Sequence, residues 1–496
     1  MEQADPSRSS TARLPKELNL LTLNCWGLLY ISTLRTERLR EIGRQIPLLS
    51  PVPDIVCLQE CWVQDDYKAI REATRQILPY GKFYHSGAFG GGLVILSRWP
   101  IEESSMIGYP LNGRPTAFFR GDWYVGKGVA RASIRIGPGK KDIVDVFNTH
   151  THAPYGGDKE DSYTCHRIAQ TWELAKLLAT SAALGHLTVA LGDFNSTPLS
   201  IPHRIITERS PVLDTWRVLH PDSSLGAALS SPERERGRPI PTAQFNLREN
   251  GTTSDGSYNT WRFSKKDQKR LRRGSLVAVS PDQEDLKGKR LDYIFASNGD
   301  LTSDKAWVVK SAQVALADRH ADLHVSLSDH FAVQATLALH PIPSSSQPPS
   351  SPPADPSPSH PVADFDAQLR HVKAIFDRPH PDPALMINLC DDILPFIARY
   401  KAREIKQRYW RGVHFYIAIA VWIGCLVAVW FSPANFVAFI LLLIASLGLV
   451  AGVIDGLMAL LFFSSEIRAL KEFEWEVENT KELACRRAGV SSSKQS

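Results

Sequence analysis

From Gly412 to Ile454 the chain runs for 43 residues without one Asp, Glu, Lys or Arg. A stretch that long and that apolar is wrong for a helix of a soluble domain and right for hydrocarbon. It breaks once, at Ser432-Pro433-Ala434-Asn435, a turn-forming cluster. The pattern therefore predicts a hairpin of two spans, Val413–Phe431 and Phe436–Ile454, each of 19 residues. Each would rise roughly 28 Å at about 1.5 Å per residue, close to the thickness of a bilayer core. Trp410, Tyr416, Trp422 and Trp430 supply interface anchors. The competing reading, a hairpin buried in a globular core, fits the length poorly.

The flanks set an expected orientation. Lys401, Arg403, Lys406, Arg408 and Arg411 precede the first span, and Arg468, Lys471, Lys481, Arg486 and Arg487 follow the second. The turn between the spans carries no charge. The positive-inside bias then predicts a multi-pass membrane protein with both termini and the large N-terminal part in the cytosol. The organelle is left open between the endoplasmic reticulum and mitochondria. Asp455, at the end of span two, reads as a hydrated carboxylate near the interface. The start, MEQADPSRSSTARLPKE, has no apolar h-region, so no secretory signal is expected. The seven cysteines are odd in number and lack metal spacing, which predicts reduced thiols.

Ahead of the hairpin the chain divides again. Residues 341–361 hold nine prolines and seven serines and read as an extended linker. Residues 362–411 alternate apolar and charged positions (Leu369, Val372, Ile375, Phe376) and predict amphipathic juxtamembrane helices. The hairpin is then assigned to 412–464 and a cytosolic tail to 465–496.

Residues 15–340 carry short β-rich runs: 18–24, 54–59, 92–97, 129–136, 142–150, 186–193, 290–296 and 331–339. Helical patterns fall between them, at Thr33–Leu49 and Ser162–Thr180. This implies an α/β domain, a two-layer α/β sandwich with one large core.

Polar side chains gather where these strands end: Asn24, Gln59-Glu60, Asn148-Thr149-His150 and Asp193-Phe194-Asn195, with Asp292 inside RLDYIF and Asp329-His330 opening the last run. A single strand ending in Asp or Asn is usually a turn or a helix cap. Six such endings predict convergence on one rim. Oxygen ligands without a thiolate cluster suit a hard ion of the Mg²⁺ type, with Mn²⁺ a candidate substitute. An imidazole held by a carboxylate can take a proton from water. Together these predict metal-assisted hydrolysis of a phosphoester.

The words NCWG (24–27), LQEC (58–61), NTHTHA (148–153), GDFNSTP (192–198), RLDYIF (290–295) and SDHFAV (328–333) resemble the endonuclease/exonuclease/phosphatase superfamily, the deoxyribonuclease-I-like fold. DSYTCHRIAQTWELAKLL (161–178), the GDxNSxP form and the terminal hairpin resemble its neutral sphingomyelinase branch, which includes the fungal inositol phosphosphingolipid phospholipases C. The resemblance implies hydrolysis of a membrane sphingolipid to ceramide and a phosphorylated headgroup. It also implies roles: Glu60 as the principal metal ligand with Asn24 beside it, and His330 as general base oriented by Asp292. Asp329 would support that end of the site, through a second ion or without one. His150 would hold phosphoryl oxygens, and Asp193 and Asn195 would position the nucleophile. An exchange of emphasis between His150 and His330 stays open. His152 and His166 are expected to be structural.

Gly121-Asp122-Trp123-Tyr124-Val125-Gly126-Lys127-Gly128 has the outline of a P-loop, but Gly128 stands where a nucleotide site needs Ser or Thr. In the resembled branch an Asp/Lys pair at this spacing gates activity in response to anionic phospholipid, which makes Asp122 and Lys127 expected switch residues. Residues 221–285 look like an insertion, with a basic run (Arg262, Lys265, Lys266, Lys269, Arg270, Arg272, Arg273) expected to be a solvated loop able to touch anionic lipid. No basic stripe with interleaved aromatics is present, so nucleic acid is not an expected partner. A nuclease or phosphoinositide phosphatase of the same superfamily, and a membrane scaffold with a dead site, are the alternatives. Fungal-type linker and loops lean the headgroup toward inositol phosphate over phosphocholine.

Overall fold

A computed structural model describes residues 13–156, 162–342, 364–376 and 382–490. The expected Pro/Ser linker lies, beyond Ile342, outside the described residues, as does most of the N-terminal segment read for a signal. The chain forms two compact units. One comprises Met1–Tyr109, Tyr124–Tyr163 and Gln170–Pro381; the other comprises Pro110–Trp123, Thr164–Ala169 and Asp382–Ser496.

Among the described residues the first unit is built on twelve strands: β1 (Glu17–Asn24), β2 (Ile55–Gln59), β3 (Tyr80–Tyr84), β4 (Leu93–Ser97), β5 (Ile101–Gly108), β6 (Gly128–Arg135), β7 (Ile143–His150), β8 (Leu187–Asp193), β9 (Leu213–Asp214), β10 (Asp292–Ala296), β11 (Lys305–Ala315) and β12 (Ala332–Pro341). They form two six-stranded mixed sheets, in the orders β11-β12-β1-β2-β4-β3 and β5-β6-β7-β8-β10-β9.

Alternation along each strand explains the layering. Leu20, Ile55, Cys57, Leu93 and Ile95 of one sheet meet Ala130, Ala132, Val144, Val146, Val189 and Ile294 of the other in a shared core. The intervening residues Leu21, Leu23, Val56, Leu58, Val94 and Leu96 turn the other way, against Leu39, Ile42 and Ile70. Those three come from the helices Arg35–Gln45 and Gln64–Thr74. On the second sheet Phe147, Ala190, Tyr293 and Phe295 likewise face Leu174, Leu178 and Ile206, from the helices Thr164–Ala183 and Ile201–Arg209. The α/β sandwich expected from the sequence therefore has two sheets as its inner layers and helices on the outer faces, since a strand apolar on both sides must be covered on both.

The second unit is dominated by a helix of 48 residues, Pro383–Trp430. It is followed by Asn435–Leu457, a π-helical stretch Met458–Phe463 and the helix Ser464–Ala488. The first two are long and apolar enough to cross a membrane. Their apolar side chains are largely exposed, Trp430 at 89% and Phe436 at 68% among them. That is the surface a bilayer would cover. Asp455 accepts from Arg411, and its other oxygen lies 2.7 Å from His414 Nδ1. All seven cysteines are free and buried.

Candidate active site

Strand direction builds the rim. β1 and β2 run parallel and end together, with Asn24 opposite Gln59. β7 and β8 run parallel and end together, with His150 opposite Asp193. β10 runs antiparallel to β8, so its first residue, Asp292, stands opposite Asp193. β12 is antiparallel to β1 and begins just after Asp329-His330. The ends of parallel strands and the beginnings of antiparallel ones thus share one edge. Asp292, read from the sequence as lying inside a strand, is in fact the residue that opens one.

Hydrogen bonds close the two sheets over this edge. Asn24 Nδ2 donates to Glu60 Oε1 and to Asp193 Oδ2, both at 3.0 Å. Asp193 Oδ1 accepts from the Asn195 backbone N–H at 2.9 Å. His150 Nε2 lies 3.6 Å from Asp193 Oδ2. His330 Nδ1 meets Asp292 Oδ2 at 2.8 Å, and its Nε2 lies 4.0 Å from Asp193 Oδ2. Glu60, Asn195 and Trp26 all adopt left-handed backbone conformations, with φ of 52°, 44° and 47°. Such strain in non-glycine residues gathers at functional sites. Two glycines of the motifs are dictated by close approach: a Cβ on Gly27 would sit 2.3 Å from the Glu60 carbonyl oxygen, and one on Gly192 would sit 1.9 Å from that of Thr149.

The electrostatics separate the two histidines. Burial pulls the His150 imidazole well below the usual histidine range, and the Lys127 and His330 charges reinforce this. Burial acts the same way on His330, but Asp292, Asp193 and Asp329 outweigh it and hold its pKa well above the usual range. Asp193 is pushed up by burial and by Asp292. Glu60 is pushed up to about 7 by desolvation and by Asp329, against the Asn24 amide, Lys127 and His330. Two rim carboxylates that repel each other, made of oxygen donors alone, are what a hard divalent cation relieves. Among the described residues Glu60 accepts one hydrogen bond, which leaves lone pairs for such an ion. Asp193, Asp292 and His330 have ligand atoms within 4.8 Å of one another. Two of these, Asp292 and His330, are already joined as an imidazole–carboxylate pair.

Asp329 is half-buried beside His330, with Arg262 Nη2 3.9 Å from its Oδ2. Lys127 is buried, its Nζ 3.4 and 3.3 Å from the carbonyl oxygens of His150 and Thr151. Asp122 is buried at the start of the short helix Asp122–Val125 and belongs to the other unit. His152 stacks on Tyr163 at 4.0 Å, and the His166 ring lies 3.2 Å from the Gly113 carbonyl oxygen; both are packing residues. Gln59 and Asn148 bond each other at 2.8 Å across the two sheets, a buried strut behind the rim.

Two contributions were not legible in the sequence. Arg38, fully buried, donates to the carbonyls of Thr33, Cys25, Leu327 and Trp26, caging the turn after β1. The one signal was a cation next to the apolar positions Leu39 and Ile42. Residues 252–262 of the apparent insertion are also built into the rim. Thr253 Oγ1 accepts from Leu291 N at 3.1 Å, and Ser254 bridges to His330. The basic run is a helix, Lys265–Arg272, capped by Ser264, where a loop was expected.

Residues 21–330 match the Endonuclease/Exonuclease/phosphatase family. The chain is 36% identical over 478 residues to the inositol phosphosphingolipids phospholipase C of Schizosaccharomyces pombe, across 95% of each chain. It is 31% identical over 483 residues to the protein of the same name from Saccharomyces cerevisiae, across 93% of this chain and 89% of that one. Over a shorter stretch, 199 residues and 40% of this chain, it is 31% identical to sphingomyelin phosphodiesterase 2 of Rattus norvegicus, covering 46% of that protein.

Proposed function

Because the chain belongs to the Endonuclease/Exonuclease/phosphatase family, we propose that its rim hydrolyses the phosphodiester of a sphingolipid, as a phospholipase C that releases ceramide and a phosphorylated headgroup. Its relatives over nearly the whole length are named for inositol phosphosphingolipids, which favours that headgroup. The single observation that carries the reading is the His150–Asp193–Asp292 register joined to the Asp292–His330 bond.

In this reading Glu60 and Asn24 hold a divalent cation, Mg²⁺ by its preference for oxygen. Bound there, such an ion supplies Lewis-acid polarisation of the phosphoryl group. His330 accepts the proton of the attacking water at Nε2. Asp292 fixes its Nδ1–H and so its tautomer, which leaves Nε2 of the neutral ring as the acceptor. Asp193 and Asn195 orient the water. His150, kept neutral, donates to a phosphoryl oxygen, and Asp329 steadies the His330 end. Lys127 adds positive charge behind His150, and with Asp122 forms the switch through which an anionic phospholipid activates the enzyme. The hairpin crosses the bilayer with both termini and the catalytic unit in the cytosol, so substrate search takes place in two dimensions.

The test is hydrolysis by full-length protein in mixed micelles, titrated with Mg²⁺, against an inositol phosphosphingolipid, sphingomyelin, nucleic acid and a phosphoinositide. Metal-dependent release of ceramide is expected. Cleavage of either of the last two without ceramide release would reject the reading. Lys127→Ala is expected to lose turnover at an unchanged melting temperature.

A further inference from the structure

Beside the Asp329–His330 turn lies a cleft of about 380 Å³, lined by residues from 255–267 and 277–287, that the hydrolytic chemistry does not use. Arg262 belongs to both places. It lines the cleft, pairs with Asp255 Oδ1 at 2.6 Å and reaches to 3.9 Å from Asp329 Oδ2. Asp255, also in the lining, follows Ser254, which is bridged to His330. The cleft therefore opens one side chain away from the rim where the phosphate must sit.

Its chemistry narrows the occupant. Arg262 and Lys287 bring donors; Asp255, Asp267, Glu284, Asp285 and Gln283 bring acceptors, so the lining is acidic on balance. Among the lining carboxylates, Asp255 pairs with Lys289 as well as Arg262, Asp267 pairs with Arg270, and Asp285 accepts from the backbone N–H groups of Ser257 and Gly288 at 3.1 and 3.0 Å. A quaternary ammonium is recognised by a cage of aromatic faces, and Phe263 is the one aromatic residue in this lining. A ring of hydroxyls both donates and accepts at every position. Such a ring is what a wall of interleaved donors and acceptors can satisfy, its hydroxyls donating to the lining carboxylates and accepting from Arg262 and Lys287.

We propose that this cleft is the subsite for the polyhydroxylated ring of an inositol headgroup, held there while the rim attacks its phosphate. The assignment rests on the phosphodiesterase reading above and gives that reading its headgroup.

Lys287 and Gln283 are exposed at the cleft wall, so their substitution spares the core. Full-length protein in detergent, with Mg²⁺, is titrated calorimetrically with inositol 1-phosphate and with inorganic phosphate, for the wild type and for a Lys287→Ala/Gln283→Ala double variant. Inositol 1-phosphate is expected to bind the wild type more tightly than phosphate does. The double variant is expected to lose about tenfold in that affinity, the worth of one hydrogen bond to a charged group, with phosphate binding little changed. Equal losses for both ligands, no loss for either, or wild-type binding of inositol 1-phosphate no tighter than phosphate would overturn the subsite. Tight, variant-sensitive binding by a protein that cleaves no sphingolipid would keep the subsite and reject the phospholipase reading, so the two failures are distinguishable.

Discussion

Asp193 and Asp292 stand directly opposite each other on β8 and β10, two buried carboxylates in antiparallel register. Like charges so placed repel, and the rim accommodates them by setting an imidazole between. His330 bonds Asp292 through Nδ1 and turns Nε2 toward Asp193. Against the effect of burial, the attraction of Asp292, Asp193 and Asp329 for the imidazolium raises the His330 pKa.

Asp292→Asn keeps the shape of this contact and removes the charge that fixes the imidazole tautomer. We expect kcat/KM on an inositol phosphosphingolipid to fall by about 10²–10⁴-fold, with a melting temperature near that of the wild type. Turnover close to normal would show that His330 is not the base, or that Asp292 does not orient it.

Glu60 yields a prediction about pH and metal. Its folded pKa of about 7 stands above the ordinary 4.5. Between those values the native state holds more protons than the unfolded chain. In EDTA, the contribution of this group to stability therefore declines as pH rises from about 4.5 through about 7. A cation binds only the ionised carboxylate, so it must displace the proton at low pH. The rise in melting temperature on adding Mg²⁺ is expected to be larger at pH 8 than at pH 6, and Glu60→Gln should lose both the rise and its pH dependence. An equal Mg²⁺ shift in the Gln variant would place the ion elsewhere.

What the sequence revealed and what it hid follow one physical rule. The runs read as strands became β1, β2, β4, β6, β7, β8, β10 and β12, the interior strands of the two sheets. The four strands that escaped notice, β3, β5, β9 and β11, are the four sheet edges. An interior strand of a sheet covered on both faces is apolar along most of its length, as in Ile55–Gln59, where only the last residue is polar, and stands out from its surroundings. An edge such as Ile101–Gly108, half of it exposed and carrying Glu102, Glu103, Ser104 and Ser105, reads as a loop. The candidate site residues were legible because most of them stand at the ends of interior strands. Arg38 and Thr253 were not, because they act through backbone groups that no residue pattern announces.

Arg38 can be weighed by substitution. Its guanidinium satisfies four backbone carbonyls and lies over the Trp26 ring at 4.6 Å. Arg38→Met fills similar volume but leaves those carbonyls unmet, each buried acceptor costing about 1–3 kcal/mol. The acceptors of Cys25 and Leu327 are the fully buried ones, so we expect a loss of about 2–6 kcal/mol in unfolding free energy and a fall in activity, since the Trp26–Gly27 turn packs on Glu60. Arg38→Lys, with one point charge in place of a planar fork, should rescue little of either. A Lys variant with wild-type stability in denaturant melts would show that charge alone, without the fork, holds the turn.

The hairpin can be tested at one glycine. A Cβ on Gly452 would lie 2.2 Å from the Ala418 Cβ, whereas one on Gly448, in the same helix, would meet nothing within 4 Å. The helices Pro383–Trp430 and Asn435–Leu457 therefore approach through small residues at Gly452, the contact by which helices associate where hydrocarbon offers no hydrophobic drive. Nearby, Asp455 ties the same two helices through Arg411 and His414. Gly452→Leu has to separate the helices at that level and strain the Asp455 ion pair with them, an overpacking cost of about 1–3 kcal/mol. Gly448→Leu adds a side chain to an open face at no such cost. In detergent or bicelles, the first variant is expected to lower the melting temperature of the helical unit and the second to leave it near the wild-type value. Equal effects of the two would mean that the helices do not pack through Gly452.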